Sequence, residues 1–220
     1  MARLTGANIE QFNSGSGNKG SYFSLKDDKD TARVRFLYNG AEDIEGYAVH
    51  KVAVGDRERY VNCLVEDGGT VADCPFCQAK LPKFARMFIP LYNEDTDQIQ
   101  TWERGKTFYG QISGLCARYP NLVSRTFDIE RNGKAGDQGT TYSIYPVGDP
   151  DGTTVQDILD DMGVEALTNP LGTIILNKSA EDMEHYLDTG DFPTEEAPTR
   201  RRSSGSEDTP RRSRGRGDRF

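Results

Sequence analysis

Tyr47-Ala-Val-His-Lys-Val-Ala-Val-Gly-Asp-Arg-Glu-Arg-Tyr-Val-Asn-Cys63, followed ten residues later by Cys74-Pro-Phe-Cys77, decides how this chain can fold. Residues 47–54 and 59–63 are β-rich runs, and Gly55-Asp56 between them reads as a hairpin turn. A hairpin sets His50 and Cys63 on neighbouring strands, where both can approach one ion. Cys74-Pro-Phe-Cys77 is a knuckle, because two thiolates two residues apart can face one metal ion while the backbone between them turns. His50, Cys63, Cys74 and Cys77 then make a tetrahedral site of one nitrogen and three sulfurs, the donor set that suits zinc. With all four positions filled by protein there is no place for water or substrate, so the ion is expected to be structural. The chain also lacks a His/Glu or carboxylate-pair constellation, which argues against an enzyme.

Other uses of these thiols remain open at the level of sequence. A Cys-x-x-Cys can be a redox pair, although such pairs accompany a βαβ pattern that is not evident here. Disulfides require an oxidising compartment, and nothing at the N-terminus points to export. Cys116, in Gly-Leu-Cys-Ala-Arg, has no partner nearby in sequence and reads as a small buried residue. No apolar run approaches the length of a membrane span, so the expectation is a soluble, cytoplasmic protein with no membrane partner.

The 220 residues carry a net charge of -8, and that total hides a strong asymmetry. Residues 1–148 are nearly balanced, with 18 Lys and Arg against 19 Asp and Glu. Residues 149–199 hold 13 acidic residues against Lys178 alone, while residues 200–220 hold eight arginines against Glu207, Asp208 and Asp218. This divides the chain into a flexible segment over 1–20, rich in Gly, Ser and Asn, and a β-rich core over 21–148. An acidic helical extension over 149–190 follows, then a disordered acidic and Arg-rich tail over 191–220.

Within the core, Arg33/Val34/Arg35/Phe36 alternates as a half-buried strand. Residues 87–92 form an apolar strand that returns through 98–102, and Asn132-Gly133 marks a later hairpin. Residues 78–86 and 103–115 allow short helices, the first limited by Pro82. Many short strands with few helices predict a mainly β fold, a small Greek-key barrel with a zinc subdomain inserted over about 47–86. In the extension, Thr154 and Ser179 read as helix caps, with apolar stripes at Val155, Ile158, Leu159, Met162 and at Met183, Tyr186, Leu187. His185 reads as a solvated surface residue.

The core also interleaves cations with aromatic rings: Arg33, Arg35, Phe36 and Tyr38; Arg57, Arg59 and Tyr60; Lys83, Phe84 and Arg86; Trp102, Arg104, Lys106, Phe108 and Tyr109; Arg125, Phe127 and Arg131. Single-stranded nucleic acid calls for that pairing, since cations follow phosphates and flat rings stack on unpaired bases. Many of these rings belong to the core, because strands favour aromatics in any case. The expected contacts are Arg33, Arg35, Tyr38, Arg57, Arg59, Lys83, Arg86, Trp102, Arg104, Lys106, Tyr109, Arg125 and Arg131. Trp102 leads them, since a glycine bend at Gly105 would present its ring to solvent beside Arg104 and Lys106.

The order His50…Cys63…Cys74-Pro-Phe-Cys77, Phe88-Ile-Pro-Leu-Tyr92, Trp102-Glu-Arg-Gly-Lys106 and Phe127-Asp-Ile-Glu-Arg-Asn-Gly-Lys134 resembles the zinc-containing single-stranded DNA-binding proteins of tailed phages, the helix-destabilising protein family. The likeness spans about residues 20–190. It implies an OB-fold with a zinc subdomain, binding of single-stranded DNA without sequence preference, and a role in replication, recombination and repair in the host-cell cytoplasm. Acidic residues 181–196 would then serve as a regulatory tail, either folding over the cleft as a DNA mimic or docking replication or recombination proteins, while the arginine tail adds salt-sensitive contact to nucleic acid. A rival reading from another class is a zinc-ribbon adaptor that binds protein partners, which would need an exposed apolar patch instead.

Overall fold

The structure is a computed structural model and describes residues 21–65, 69–137 and 139–193. The lead-in expected over 1–20 and the tail from 194 lie outside the described residues. Among the described residues nine strands form one mixed sheet: β1 (Ser21–Tyr22), β2 (Thr31–Phe36), β3 (Gly46–Val54), β4 (Arg57–Asn62), β5 (Lys83–Asn93), β6 (Gln98–Gly105), β7 (Thr126–Asn132), β8 (Thr141–Val147) and β9 (Ile175–Leu176). The α-helices are short: α1 (Pro75–Gln78), α2 (Tyr109–Arg118), α3 (Val155–Asp161) and α4 (Ala180–Thr189).

β5 is the axis of the sheet. One edge pairs with β6 from Arg86↔Gly105 to Asn93↔Gln98. The other edge is shared, with β3 on its first half (His50↔Lys83 to Gly46↔Met87) and β2 on its second (Phe36↔Leu91 to Val34↔Asn93). Pro90 sits at this fork, where its carbonyl accepts from the Leu37 amide at 3.0 Å. In an antiparallel strand a residue's N–H and C=O face the same edge. The donor that proline lacks therefore falls where β3 has left and β2 is only beginning.

From the fork, β7 and β8 extend the sheet beyond β2, while β4 and β9 extend it beyond β3. β1 and β9 are parallel additions of two residues each, on β6 and β4. No pairing among the described residues joins β8 to β9, so the sheet stays branched and open. The mainly β chain with a few short helices forms as expected; a closed Greek-key barrel does not.

The alternation in β2 buries Ala32, Val34 and Phe36 and turns Arg33 outward. These side chains join Met87, Ile89 and Leu91 of β5, Trp102, Phe127, Ile129 and the α2 residues Ile112 and Cys116 in the main core. Cys116 is buried as its sequence context suggested. Phe88, on the opposite face of β5, packs with Val49, Ile174 and Ile175. A third cluster of Val52, Val61, Phe76 and Met183 surrounds the cysteine knuckle.

Both predicted caps form. The Asp157 amide donates to Thr154 Oγ1 at 3.2 Å, the Asp182 amide donates to Ser179 Oγ at 3.1 Å, and each carboxylate returns the bond. α4 packs on α1, so of the acidic stretch 181–196 only residues 194–196 lie beyond the described fold. His185 faces solvent.

Candidate metal centre and nucleic-acid interface

The β3–β4 hairpin turns at Gly55, whose φ of 56° suits the first corner of a two-residue turn. It sets His50 across from Val61, and the Cys63 amide adds one rung beyond β4 by donating to the Ala48 carbonyl at 2.9 Å. The knuckle is a single helical turn, with Gln78 N–H bonded to Cys74 O at 3.0 Å and Pro75 at the first helical position, where no donor is required. The short helix expected over 78–86 thus lies earlier. Lys80, at φ 60°, ends the turn, and from Lys83 the chain is already strand β5.

His50 is fully buried, and its Nδ1 donates to the Pro82 carbonyl at 3.1 Å. That bond directs the Nε2 lone pair at the sulfurs, 3.5 Å from Cys74 Sγ and 3.5 Å from Cys77 Sγ. Cys63 Sγ lies 3.6 Å from Cys77 Sγ. All four ligand atoms fall within 4.8 Å of one another, an arrangement that can hold a metal ion. The four expected ligands therefore converge, and all the cysteines are free thiols.

The electrostatics favour a cation. Burial holds His50 below its ordinary value, so the ring is neutral and can act as a ligand. Burial also raises the Cys77 thiol, and the neighbouring Cys63 and Cys74 sulfurs push it further, to about 12. Cys74 goes the other way: burial opposes ionisation, but the amides of Leu64, Cys77 and Phe76 and the Cys77 thiol outweigh it. One thiolate thus suppresses the next, a repulsion that a bound cation relieves. Phe76 seals the site from outside, edge-on to His50 at 5.5 Å and to Tyr186 at 5.6 Å. From α4, Met183 Sδ comes within 4.0 Å of Cys74 Sγ.

The expected nucleic-acid contacts separate into two groups. Arg57 and Arg59 on β4 line a groove of about 520 Å³ with Tyr22, Lys51 and Tyr60. Beside it on β5, the Arg86 guanidinium lies 5.7 Å from the Tyr60 ring and 5.6 Å from the Phe84 ring. Glu103 tempers that charge from 3.6 Å and accepts from the Tyr60 hydroxyl at 2.6 Å. Tyr22 is 53% and Phe84 37% exposed, so ring faces and cations share one surface. Lys83 begins β5 with its side chain exposed, and a Cβ at Gly105, just before Lys106, would lie 3.1 Å from Arg86 Nη1. Tyr109, which opens α2, is half exposed.

The other expected contacts have partners within the fold. Arg33 sits opposite Asp128 in the β2–β7 register and makes two bonds to its carboxylate, at 2.9 and 3.2 Å. Arg35 is held between Glu94 at 2.7 Å and Asp151 at 2.8 Å. Tyr38 is buried, which raises its phenol pKa. Arg125 donates to the Gly148 carbonyl and covers Tyr119, while Arg131 donates to the carbonyls of Leu25, Gly133 and Lys134.

Trp102 is 1% exposed, not presented to solvent as its glycine bend suggested. Its register opposite Ile89 turns the ring into the main core, edge-on to Phe23, Phe108 and Tyr142, and Arg104 covers it. Lys51 and Tyr22 are among the groove residues that the sequence pattern misses, with Glu58, Glu103 and Ile174. Lys51 is cross-strand to Tyr60, which a period-two reading from His50 would have placed. Tyr22 arrives through the parallel pairing of β1 with β6, for which no local pattern exists.

No protein-family model matches this chain, and no curated protein matches it. No helix among the described residues is long and apolar enough to cross a membrane.

Proposed function

We propose that this chain is a non-sequence-specific single-stranded DNA-binding protein with a structural zinc ion at His50, Cys63, Cys74 and Cys77. It would protect and present the strand during replication, recombination and repair in the cytoplasm of a phage-infected cell. The observation that carries the reading is the groove lined by Tyr22, Tyr60, Lys51, Arg57 and Arg59, with Arg86 and the exposed Phe84 ring beside it. Cations there follow the phosphates, and the exposed rings take bases at about 1–3 kcal/mol each whatever the sequence. Zinc is the ion this donor set favours. A tetrahedral zinc with Zn–S near 2.3 Å and Zn–N near 2.0–2.1 Å separates its ligands by about 3.6–3.8 Å. The distances of 3.5, 3.5 and 3.6 Å between these ligand atoms support that assignment.

The ion would act on the groove through the hairpin. It pins β3 and the end of β4 to the knuckle, and those strands carry Lys51, Arg57, Arg59 and Tyr60. On this reading the branched sheet is a variant of the OB-fold, open where β8 and β9 end it, and residues 194–220 are the docking segment for replication or recombination proteins.

A second reading is favoured by one observation. A groove of about 830 Å³ runs between Leu37, Pro90 and Phe88 on the sheet and Met162, Val164 and Leu167 after α3; polar residues such as Asp43, Glu45 and Gln98 also line it, and its apolar part is what a zinc-bearing protein adaptor would need.

The test is a titration of labelled oligo-dT, oligo-U and a matched duplex with zinc-loaded and chelator-treated protein at two salt concentrations. Salt-sensitive preference for oligo-dT over the duplex, weakened by chelation, is the expected result. Absence of binding to every strand form overturns the reading and leaves the adaptor.

A further inference from the structure

A groove that takes phosphates has reason to exclude carboxylates, yet Glu58 and Glu103 both line this one. Glu58 is engaged, since Lys51 Nζ donates to its carboxylate across the β3–β4 hairpin. Glu103 is engaged on one oxygen only. It lies opposite Phe88 in the β5–β6 register, so its side chain leaves the core face that Trp102 occupies and enters the groove. Its Oε1 accepts from the Tyr60 hydroxyl at 2.6 Å. Burial, and then that bond to Glu103, push the Tyr60 phenol up to about 12, which keeps it a donor. The same Oε1 is 3.6 Å from Arg86 Nε, too far for a hydrogen bond, and that nitrogen is buried without a partner.

Among the described residues Glu103 makes no second hydrogen bond, although a carboxylate has about four acceptor sites. The nearest open ring is Tyr22. Its parallel partner on β6 is Thr101, two residues before Glu103 and on the same face. The Tyr22 phenol feels both charges of the groove: burial and then Glu103 raise its pKa, while Arg59 lowers it. Half of Tyr22 is exposed, so a flat ring and an unfilled acceptor stand side by side.

In a DNA strand the hydrogen-bond donors belong to the bases, because phosphates and sugar ether oxygens only accept. Cytosine, adenine and guanine each carry an exocyclic amino group. Thymine has only a ring N–H between two carbonyl oxygens, which a carboxylate repels. We propose that Glu103, held in place by Tyr60, reads the base stacked on Tyr22 and favours an amino-bearing base over thymine there. This inference rests on the function proposed above and adds to it a preference at one position of the groove. Elsewhere the strand is held by its phosphates and ring faces whatever its sequence.

Cytosine against thymine is the cleanest comparison, because the two rings match in size and stack alike. The zinc-loaded full chain is titrated at neutral pH and fixed salt with labelled oligo-dC, oligo-dT and an oligomer of 2-pyrimidinone, which is cytosine without its amino group. Oligo-dC should bind about threefold or more tighter than the other two. Glu103→Gln keeps the length of the side chain and an acceptor for Tyr60, and it adds an amide that can donate to a thymine carbonyl. The variant should lose the preference for oligo-dC while its binding of oligo-dT tightens, since a negative charge has left the groove. A residue that only braced Tyr60 would instead change both affinities by the same factor.

Equal binding of all three oligomers by the wild type overturns the base-reading role and keeps the groove, and that comparison holds whether or not the variant folds. A preference that survives Glu103→Gln also overturns it. Tighter binding of oligo-U than of oligo-dT, lost in the variant, overturns it too and assigns the carboxylate to a ribose 2′-hydroxyl. Absence of binding to every oligomer removes the proposed function itself, and the reading of bases with it.

Discussion

Arg35 lies between Glu94 and Asp151 with only 16% of its side chain exposed, which makes it a strut between β2, the β5–β6 turn and the segment before α3. Hydrogen bonds from Arg35 and Thr153 hold the Asp151 carboxyl well below the usual carboxylate range. Its contribution is therefore fully present above the unfolded value near 3.9 and is lost as pH falls through the depressed folded value. Asp151→Asn should cost about 1 kcal/mol at pH 7, a modest figure because the carboxylate is partly exposed and screened. The gap between wild type and variant should narrow as pH drops from about 5 towards 2. Urea denaturation across that range checks it, and a gap that stays constant with pH would remove Asp151 as the partner. At this scale the four candidate metal ligands are legible in the sequence, because the hairpin brings His50 and Cys63 together and the knuckle Cys74 and Cys77. The fates of Arg33, Arg35 and Trp102 are not. Those of Arg33 and Arg35 depend on Asp128 and Glu94, supplied by distant parts of the chain, and that of Trp102 on the register that its own hairpin takes opposite Ile89.

α4 is an element legible in itself and illegible in its placement. Ser179, Asp182 and the stripe Met183/Tyr186/Leu187 announce a capped amphipathic helix, and that helix forms. That its apolar face covers the knuckle follows only from the fold: Met183 is fully buried near Cys74, and the Tyr186 hydroxyl donates to the Ala53 carbonyl at 2.7 Å. Hairpins are legible for the same local reason, while the parallel pairings of β1 and β9 leave no trace in the sequence. Met183→Ala should destabilise the protein by about 2–4 kcal/mol through reduced burial and a residual cavity. It should also speed metal transfer to a chromogenic chelator, because the thiolates lose their cover. Ser179→Ala removes only the cap and should cost about 1 kcal/mol, with a smaller effect on transfer. Equal transfer rates in wild type and Met183→Ala would show that α4 rests on the knuckle without guarding the ion.

For the whole molecule, the question is how a chain of net charge -8 would hold the polyanion proposed for it. The groove offers Lys51, Arg57 and Arg59, with Arg86 beside it, but Glu58 and Glu103 stand among them, with Glu58 bonded to Lys51 and Glu103 near Arg86. Local attraction is therefore modest, and residues 200–220, with eight arginines against three acidic residues, are the chain's main reserve of positive charge. Truncation after residue 199 removes that reserve while leaving α4 and the metal loop intact. It should weaken oligo-dT binding and flatten its salt dependence, by about 0.7 in the log–log slope for each phosphate that the arginines no longer neutralise. Truncation after residue 193 also removes Glu195 and Glu196, and should recover part of the affinity without restoring the slope. The two effects differ in kind, because removing acidic residues lessens repulsion without neutralising a further phosphate or releasing its counterion. Fluorescence anisotropy between about 50 and 200 mM salt separates them, over a range where several neutralised phosphates shift affinity by orders of magnitude. If both truncations keep the full-length slope, the groove alone neutralises the strand and the arginine segment has another partner. A slope that falls with the first truncation and stays flat with the second assigns the counterion release to residues 200–220.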